Sequence, residues 1–493
     1  MNLEVVYKLF KSAIMTAGEM PDDKNYRTET DILGLMQLSV DSLTGIHTVR
    51  ALGNFDLVGG HVNNGLIRSY GLVKLACVAT NAELGYIDAD IASAIKQACE
   101  ELSSGSLNAE PIAALQGGAG TSTNMYVNEL IANRALIILG KKTTDHNIIS
   151  PLDHVNKHQS TNDTYPTALR IAAMYALSRL EQAVSELADE FQKKEQLFAD
   201  VVKLGRTQLQ DAVAITVGRE MGSYAEAFSR DRWRIYKCQE RLRVVNLGAT
   251  AIGTGLGAPQ KYIFKVVDNL RKITKLPLAR AENLVQATQN CDEIVEVSGI
   301  LKALAVNIFK ITSDLRLLSS GPDAGFGELK LPLRQAGSSI MPGKVNPVIA
   351  EMAAQVAIQA ISRDAAISMA AMSGQLELNA FMPCIAHNLL SMLDELIIAC
   401  TKVRLLLVQG LEVDREKCEK SLHSSTAIIT AFINKIGYEK ASEVAVKAVQ
   451  EKKTVKEILL AEKLCTQEEY DQLTNAEAIL ALGFREKTNA NDT

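Results

Sequence analysis

The strongest regularity in the chain is an apolar seam at Ile294, Val297, Leu301, Leu304, Ile308, Ile311, Leu315 and Leu318, spaced alternately by three and four. A heptad pattern of this kind predicts one helix of about 25 residues with a continuous buried edge. Val295, Ala305 and Phe309 add a second apolar stripe, so this helix is expected to be covered on more than one side. Similar periodicity predicts helices over Leu169–Phe191 and Leu389–Leu406 and over about 218–242 and 348–373. All exceed the usual helix length. The chain is therefore expected to be mainly all-α, with long helices packed nearly antiparallel in a bundle. The second stripe fits cover from the same chain and cover from another subunit equally well.

Polar and Gly-rich breaks interrupt the helices at Gly117–Asn124, Ser150–Asp163, Gly205–Asp211, Gly248–Pro259 and Gly321–Pro347. In a long-helix bundle, chemistry belongs in the loops and at helix ends. After about Val413 the chain is more charged, with shorter helical patterns at Lys440–Glu451 and Thr466–Leu473. This stretch reads as a small separate domain.

Composition narrows the classes. Hydrophobic residues make up 47% of the 493 and aromatics only 5%, which suits closely packed helices better than a β-sandwich. The net charge is −5 with no basic stripe, which argues against a nucleic-acid partner. The eight cysteines form no C-x-x-C pair and read as thiols of a reducing compartment. There is no apolar run of about 18 residues, hence no expected membrane span. Met1 to Met20 is amphipathic without a secretory signal's apolar core. A cytoplasmic location is the expectation.

The densest chemistry lies in Gly337-Ser338-Ser339-Ile340-Met341-Pro342-Gly343-Lys344-Val345-Asn346-Pro347. Two hydroxyls, an ammonium and an amide sit between glycines and prolines. Such a loop can offer a proton acceptor and anion-stabilising donors together, which proton abstraction beside a carboxylate requires. It also reads as an ordinary surface loop. Gln116–Met125 places three glycines before Thr121, Ser122 and Thr123, either as a carboxylate cradle or as helix capping. Ser160, Thr161 and Asn162 are consecutive donors before a helix expected to start near Tyr165, again with capping as the plain alternative; Asp163 reads as structural. His154 and His158 are four apart but lack a third ligand at metal spacing. Thr207 and Gln208 are candidate ligand contacts, with Arg206 and Asp211 as a structural pair. Gly248–Gly257 is rich in glycine but lacks a preceding strand and the G-x-x-G spacing, and is rejected as a nucleotide fingerprint.

These breaks resemble, in the same order, the fumarase/aspartase superfamily. The likeness runs from roughly Thr28 to Phe484. Gly45-Ile46-His47-Thr48-Val49-Arg50-Ala51 and Ile436-Gly437-Tyr438 resemble its early and late landmarks. Gln208 resembles the aspartase branch, since class II fumarases carry His in that string. Gln116–Ser122, Asp153–Lys157 and Gly248–Gly253 lean the same way. Leu152, Gly257, His158 and Asp41-Ser42-Leu43-Thr44 depart from the usual aspartase pattern.

The resemblance implies a three-domain fold, 1–158, 159–413 and 414–493, with a central helix bundle shared in a homotetramer. Active sites would draw on three subunits. The implied reaction is reversible elimination of ammonia from L-aspartate to give fumarate, without an organic cofactor. Some members respond to a divalent cation, for which no ligand set is legible here. Ser338, six residues before Lys344, is implied as general base in preference to Ser339. Thr121, Ser160 and Thr161 would surround the enediolate, and Lys344 and Asn346 the α-carboxylate. Asn162, Thr207 and Gln208 would hold the amino group and the rest of the substrate. Glu351 is expected to be a buried structural or proton-relay carboxylate. The alternatives are fumarate hydration and a scaffold that has lost catalysis.

Overall fold

The computed structural model describes residues 26–108 and 111–483. The amphipathic reading of Met1–Met20 lies outside these residues. Two strands, β1 (Tyr26–Asp31) and β2 (Gly34–Ser39), pair antiparallel and are followed by α1 (Ile46–Phe55), α2 (Asn64–Glu83), α3 (Ala89–Ser104) and α4 (Thr121–Ile138). Then come a π-helical turn at Pro151–Val155, α5 (Thr161–Leu197), the antiparallel hairpin β3 (Val202–Thr207) and β4 (Gln210–Thr216), and α6 (Val217–Leu242). Beyond the short β5 (Val244–Val245) lie α7 (Gln260–Thr274), β6 (Ala279–Arg280), α8 (Leu284–Gln289) and α9 (Asp292–Leu318). β7 (Leu329–Lys330), α10 (Val348–Met372), α11 (Met382–Val403), β8 (Glu412–Val413) and α12 (Arg415–Ser424) follow, before six further helical segments up to Leu480. The chain is mainly helical, as the periodicity predicts.

The chain forms two compact units. The first takes the described residues up to Arg179, then Ile235–Lys302 and Ala360–Asp394; the second takes Leu180–Arg234, Ala303–Gln359 and Glu395 onward. In the first, α2 and α3 pack through Tyr70, Val73, Cys77, Ile95, Cys99 and Leu102, all essentially without solvent contact. In the second, the C-terminal helices enclose a core of Leu422, Phe432, Val444, Leu459 and Tyr470, and Leu204 of β3 belongs to that core.

The heptad seam is buried along its whole length in α9. The second stripe is covered unevenly: Ala305 is buried and Val295 half-buried, but Phe309 is 40% exposed, and Val306 beside it 51%. The eight cysteines are thiols, seven of them buried. No helix among the described residues is long and apolar enough to cross a membrane.

One helix boundary departs from the sequence reading. The helix expected near Tyr165 begins at Thr161 and takes Pro166 into its second turn. Proline has no N–H, so it leaves the carbonyl of Asn162 without its helical donor. Asn246 Nδ2 donates to that oxygen at 3.0 Å, a compensation no local pattern reveals.

Candidate active site

In the first unit, two helix starts carry the candidate anion donors. Gly118, Ala119 and Gly120 have φ of +83°, +56° and +93°, turning the chain into α4. A side chain at Gly120 would run into the Tyr165 ring, so glycine is required by close approach as well as by backbone sign. Thr121 opens α4, is exposed, and donates through Oγ1 to Gly118 O at 2.8 Å. The capping falls to Gln116: its Oε1 accepts from Thr123 N at 3.0 Å and Thr123 Oγ1 at 3.1 Å.

Ser160, Thr161 and Asn162 enter α5 around a buried carboxylate. Asp163 accepts from Ser160 N at 3.0 Å and from Gly248 N and Thr250 N at 3.1 Å each. It thereby ties the Gly248–Thr250 loop to this helix start, which is the work of the glycine segment rejected as a nucleotide site. Burial pushes the Asp163 carboxyl up to about 6, against the pull of the three N–H groups and of Lys74. Thr161 is buried, while Ser160 and Asn162 are half-buried. Asn162 Nδ2 donates to Ala251 O at 2.7 Å, which leaves its Oδ1 as an acceptor.

A lysine that sequence reasoning missed supports this segment. Lys74 is buried on α2 and donates to Asn124 Oδ1 (2.8 Å), Asn156 Oδ1 (3.1 Å) and Gln159 Oε1 (2.8 Å). Its ammonium thus braces the turn before Ser160 against the first turn of α4. Burial holds it down to about 8. The available signal was one charge inside the apolar run Gly71-Leu72-Val73-Lys74-Leu75-Ala76. His154 and His158 have separate partners: His154 Nδ1 accepts from Ser150 N at 3.0 Å, and His158 Nδ1 lies 2.7 Å from Asn81 Oδ1. Among the described residues no three His, Cys, Asp or Glu side chains are grouped to hold a metal.

The second unit carries the other candidates. Thr207 and Gln208 lie exposed at the tip of β3–β4, and Gln208 and Leu209 form its two-residue turn with φ of +54° and +63°. The expected pairing of Arg206 with Asp211 is corrected. They face each other in the hairpin register, but Arg206 Nη2 binds Glu328 Oε1 at 2.6 Å and Asp211 Oδ2 accepts from Ser425 Oγ at 2.7 Å. The buried Glu328 is a stronger partner than an exposed cross-strand Asp, because the pair is less screened there.

The Gly337–Pro347 segment is a looped-out turn closed at its neck. Gly337 N donates to Lys344 O at 2.7 Å, and Asn346 Nδ2 donates to Gly337 O at 2.9 Å. At the tip, Lys344 N reaches Met341 O at 3.3 Å around Pro342 and Gly343. Gly343 has φ of +85°, the conformation wanted at the third position of a type II turn, with proline before it. Ser338 Oγ accepts from Ile340 N at 3.2 Å and Met341 N at 3.0 Å. Lys344 Nζ donates to Asn346 Oδ1 at 2.9 Å. Ser338, Lys344 and Asn346 are thus brought together in one loop, half-buried or exposed. Ser339 is exposed. Glu351 is not buried as expected: its side chain is 38% exposed, and its carboxylate lies 3.6 Å from Arg316. It sits in the first turn of α10, where water reaches it.

Comparison with known proteins identifies the family. A family model described as lyase matches residues 34–362, and one described as fumarase C C-terminus matches residues 428–481. The chain is 42% identical over 453 residues to an aspartate ammonia-lyase of Bacillus subtilis, covering 92% of this chain and 95% of that one. A solved structure of a fumarate lyase:delta crystallin from Brucella melitensis, bound to cobalt, is 40% identical with a TM-score of 0.88, over 92% of this chain and 99% of that one. A class II fumarase from Schistosoma mansoni is 30% identical with a TM-score of 0.86, over 93% and 100%. With these matches along most of its length, the chain belongs to the fumarase/aspartase superfamily and stands on its aspartase side.

Proposed function

We propose that the protein is an aspartate ammonia-lyase that interconverts L-aspartate with fumarate and ammonia, and that Ser338 is its base. The observation that carries this reading is the pair of backbone N–H groups, from Ile340 and Met341, directed at Ser338 Oγ. A serine hydroxyl is a poor base. Two N–H donors lower the cost of its oxyanion, as they do for any anionic oxygen they face. Ser338 Oγ takes a proton from the carbon next to the side-chain carboxylate. The electron pair moves into that carboxylate as an enediolate, then returns to form the double bond as the C–N bond breaks and ammonia leaves.

The remaining roles follow from the chemistry of each donor. Thr121, Ser160 and Thr161 supply hydroxyls at helix starts, where backbone dipoles favour a second negative charge. Lys344 and Asn346 bind the α-carboxylate. Asn162, Thr207 and Gln208 hold the amino group and the rest of the substrate; for the amino group, the amide oxygens of Asn162 and Gln208 are suitable acceptors. No organic cofactor enters this scheme, and a divalent cation would act as an activator.

The reading includes a cytoplasmic homotetramer with each site assembled from three subunits, and a division at 158 and 413 into N-terminal, central and C-terminal domains. Exposed Val306 and Phe309 on α9 support the assembly, since apolar side chains grouped on one helix face favour a partner. Ser338→Ala tests the base assignment. Fumarate formation from L-aspartate is expected to fall by several orders of magnitude with folding intact, and unchanged turnover would remove Ser338 from the role.

A further inference from the structure

Beneath the exposed tip of β3–β4 lies a charge cluster that the scheme above does not use. Glu328 has no solvent exposure. Its Oε1 binds Arg206 Nη2 at 2.6 Å, and its Oε2 lies 2.9 Å from Lys203 Nζ. The second contact is an ion pair whose direction is poor for a hydrogen bond, so charge holds it. Lys203 is itself buried and binds both Glu220 oxygens of α6, at 3.0 and 3.3 Å. Arg206 stacks 4.1 Å above the Phe326 ring. Two cations of one strand therefore converge on one carboxylate.

Glu328 is in turn fixed by its backbone. Its N–H donates to Leu318 O, at the end of α9, and its carbonyl accepts from Asp414 N, at the cap of α12, both at 2.9 Å. The register of β3 with β4 shifts between Leu204 and Arg206, and such a bulge re-aims the strand locally. Arg206 immediately precedes Thr207. Beyond it, Gln208 and Leu209 both occupy the left-handed region, which side-chain-bearing residues enter at a cost. A tip of exposed side chains in an unfavourable backbone state needs an external anchor. Glu328 supplies one through Arg206.

We propose that Glu328 is a positioning residue for the amine end of the substrate, acting through Arg206 on Thr207 and Gln208; this rests on the reading that those two hold the amino group. It touches no reacting atom. Its effect should therefore appear in amine binding and be shared with Gln208.

The test is a double-mutant cycle on the full-length enzyme with Glu328→Gln, Gln208→Ala and both together. KM for ammonium and for fumarate are measured separately in the addition direction, and KM and kcat for L-aspartate in elimination. Each single change is expected to raise KM for ammonium by about tenfold or more, the scale of one hydrogen bond to a charged group. KM for fumarate should move much less, and the double variant should resemble the worse single one. Multiplying effects of the two single changes, or an equal rise in both KM values for Glu328→Gln, would overturn the positioning role while leaving Gln208 in place. Unchanged constants in Gln208→Ala would remove the reading beneath it, and the proposal with it. Should Glu328→Gln fail to fold, Arg206→Lys replaces it in the same cycle, because it keeps the charge and loses the planar fork.

Discussion

Ser338 and Lys74 gain their chemistry from what surrounds them. Ser338 is one of two adjacent serines; its place six residues before Lys344 singles it out in the sequence, and in the structure the N–H groups of Ile340 and Met341 face its Oγ. Lys74 is an ordinary amine taken out of water and given three amide oxygens. Its folded pKa lies at about 8, below the 10.5 of an exposed lysine. Between these values the unfolded chain binds more protons than the folded one. The Lys74 contribution to stability therefore rises as pH rises from about 8 to 10.5, and is lost as pH falls through 8. The difference in unfolding free energy between the native chain and Lys74→Met should accordingly grow by about 3 kcal/mol across that window. Urea unfolding at several pH values measures it, and a difference that stays flat with pH would mean that Lys74 is not desolvated as described.

At the scale of elements, helices and hairpins differ in how plainly the chain announces them. The seam from Ile294 to Leu318 repeats for seven intervals, and each buried residue confirms the next. The starts of α6 and α10 are equally legible, falling within a residue of their apolar patterns. The β3–β4 hairpin shows in the sequence as a polar break and not as a hairpin, because its turn is Gln208-Leu209 where Asn-Gly would signal one. The entry to α5 is hidden for a comparable reason: Pro166 argues locally against helix, and its compensation by Asn246 comes from 80 residues away. The candidate site followed the same division. Its hydroxyls and amides stood out as clusters between helices, while Lys74, Glu328 and the pairing of Arg206 depend on contacts distant in sequence. The hairpin turn also gives a direct test of strain. Leu209 is 66% exposed with φ of +63°, so Leu209→Gly gives up little packing and relieves a backbone penalty. The variant is expected to gain roughly 0.5–1 kcal/mol in chemical denaturation. A loss of stability would show that the turn is not strained.

For the whole molecule, the sequence allows the second stripe of α9 to be covered within the chain or by another subunit. Within this chain Val306 and Phe309 stay open to solvent, whereas Leu304 and Ile308 beside them are fully enclosed. Replacing both Val306 and Phe309 by Glu should leave the subunit's own core untouched and oppose association, because two carboxylates would have to enter an apolar contact. Light scattering should find the native protein as a tetramer and the double variant as a smaller species. A double variant that keeps the native mass would place the subunit contacts elsewhere.

The accumulation of fumarate reports the proposed chemistry most directly. Purified protein is given L-aspartate or L-malate, and ultraviolet absorbance by fumarate is followed beside a Ser338→Ala control. Fumarate from L-aspartate alone, abolished in the variant, is the result expected of an ammonia-lyase with a serine base. Fumarate from L-malate alone would contradict it and make the protein a hydratase despite Gln208; no fumarate from either would contradict it in favour of another substrate or a scaffold without catalysis.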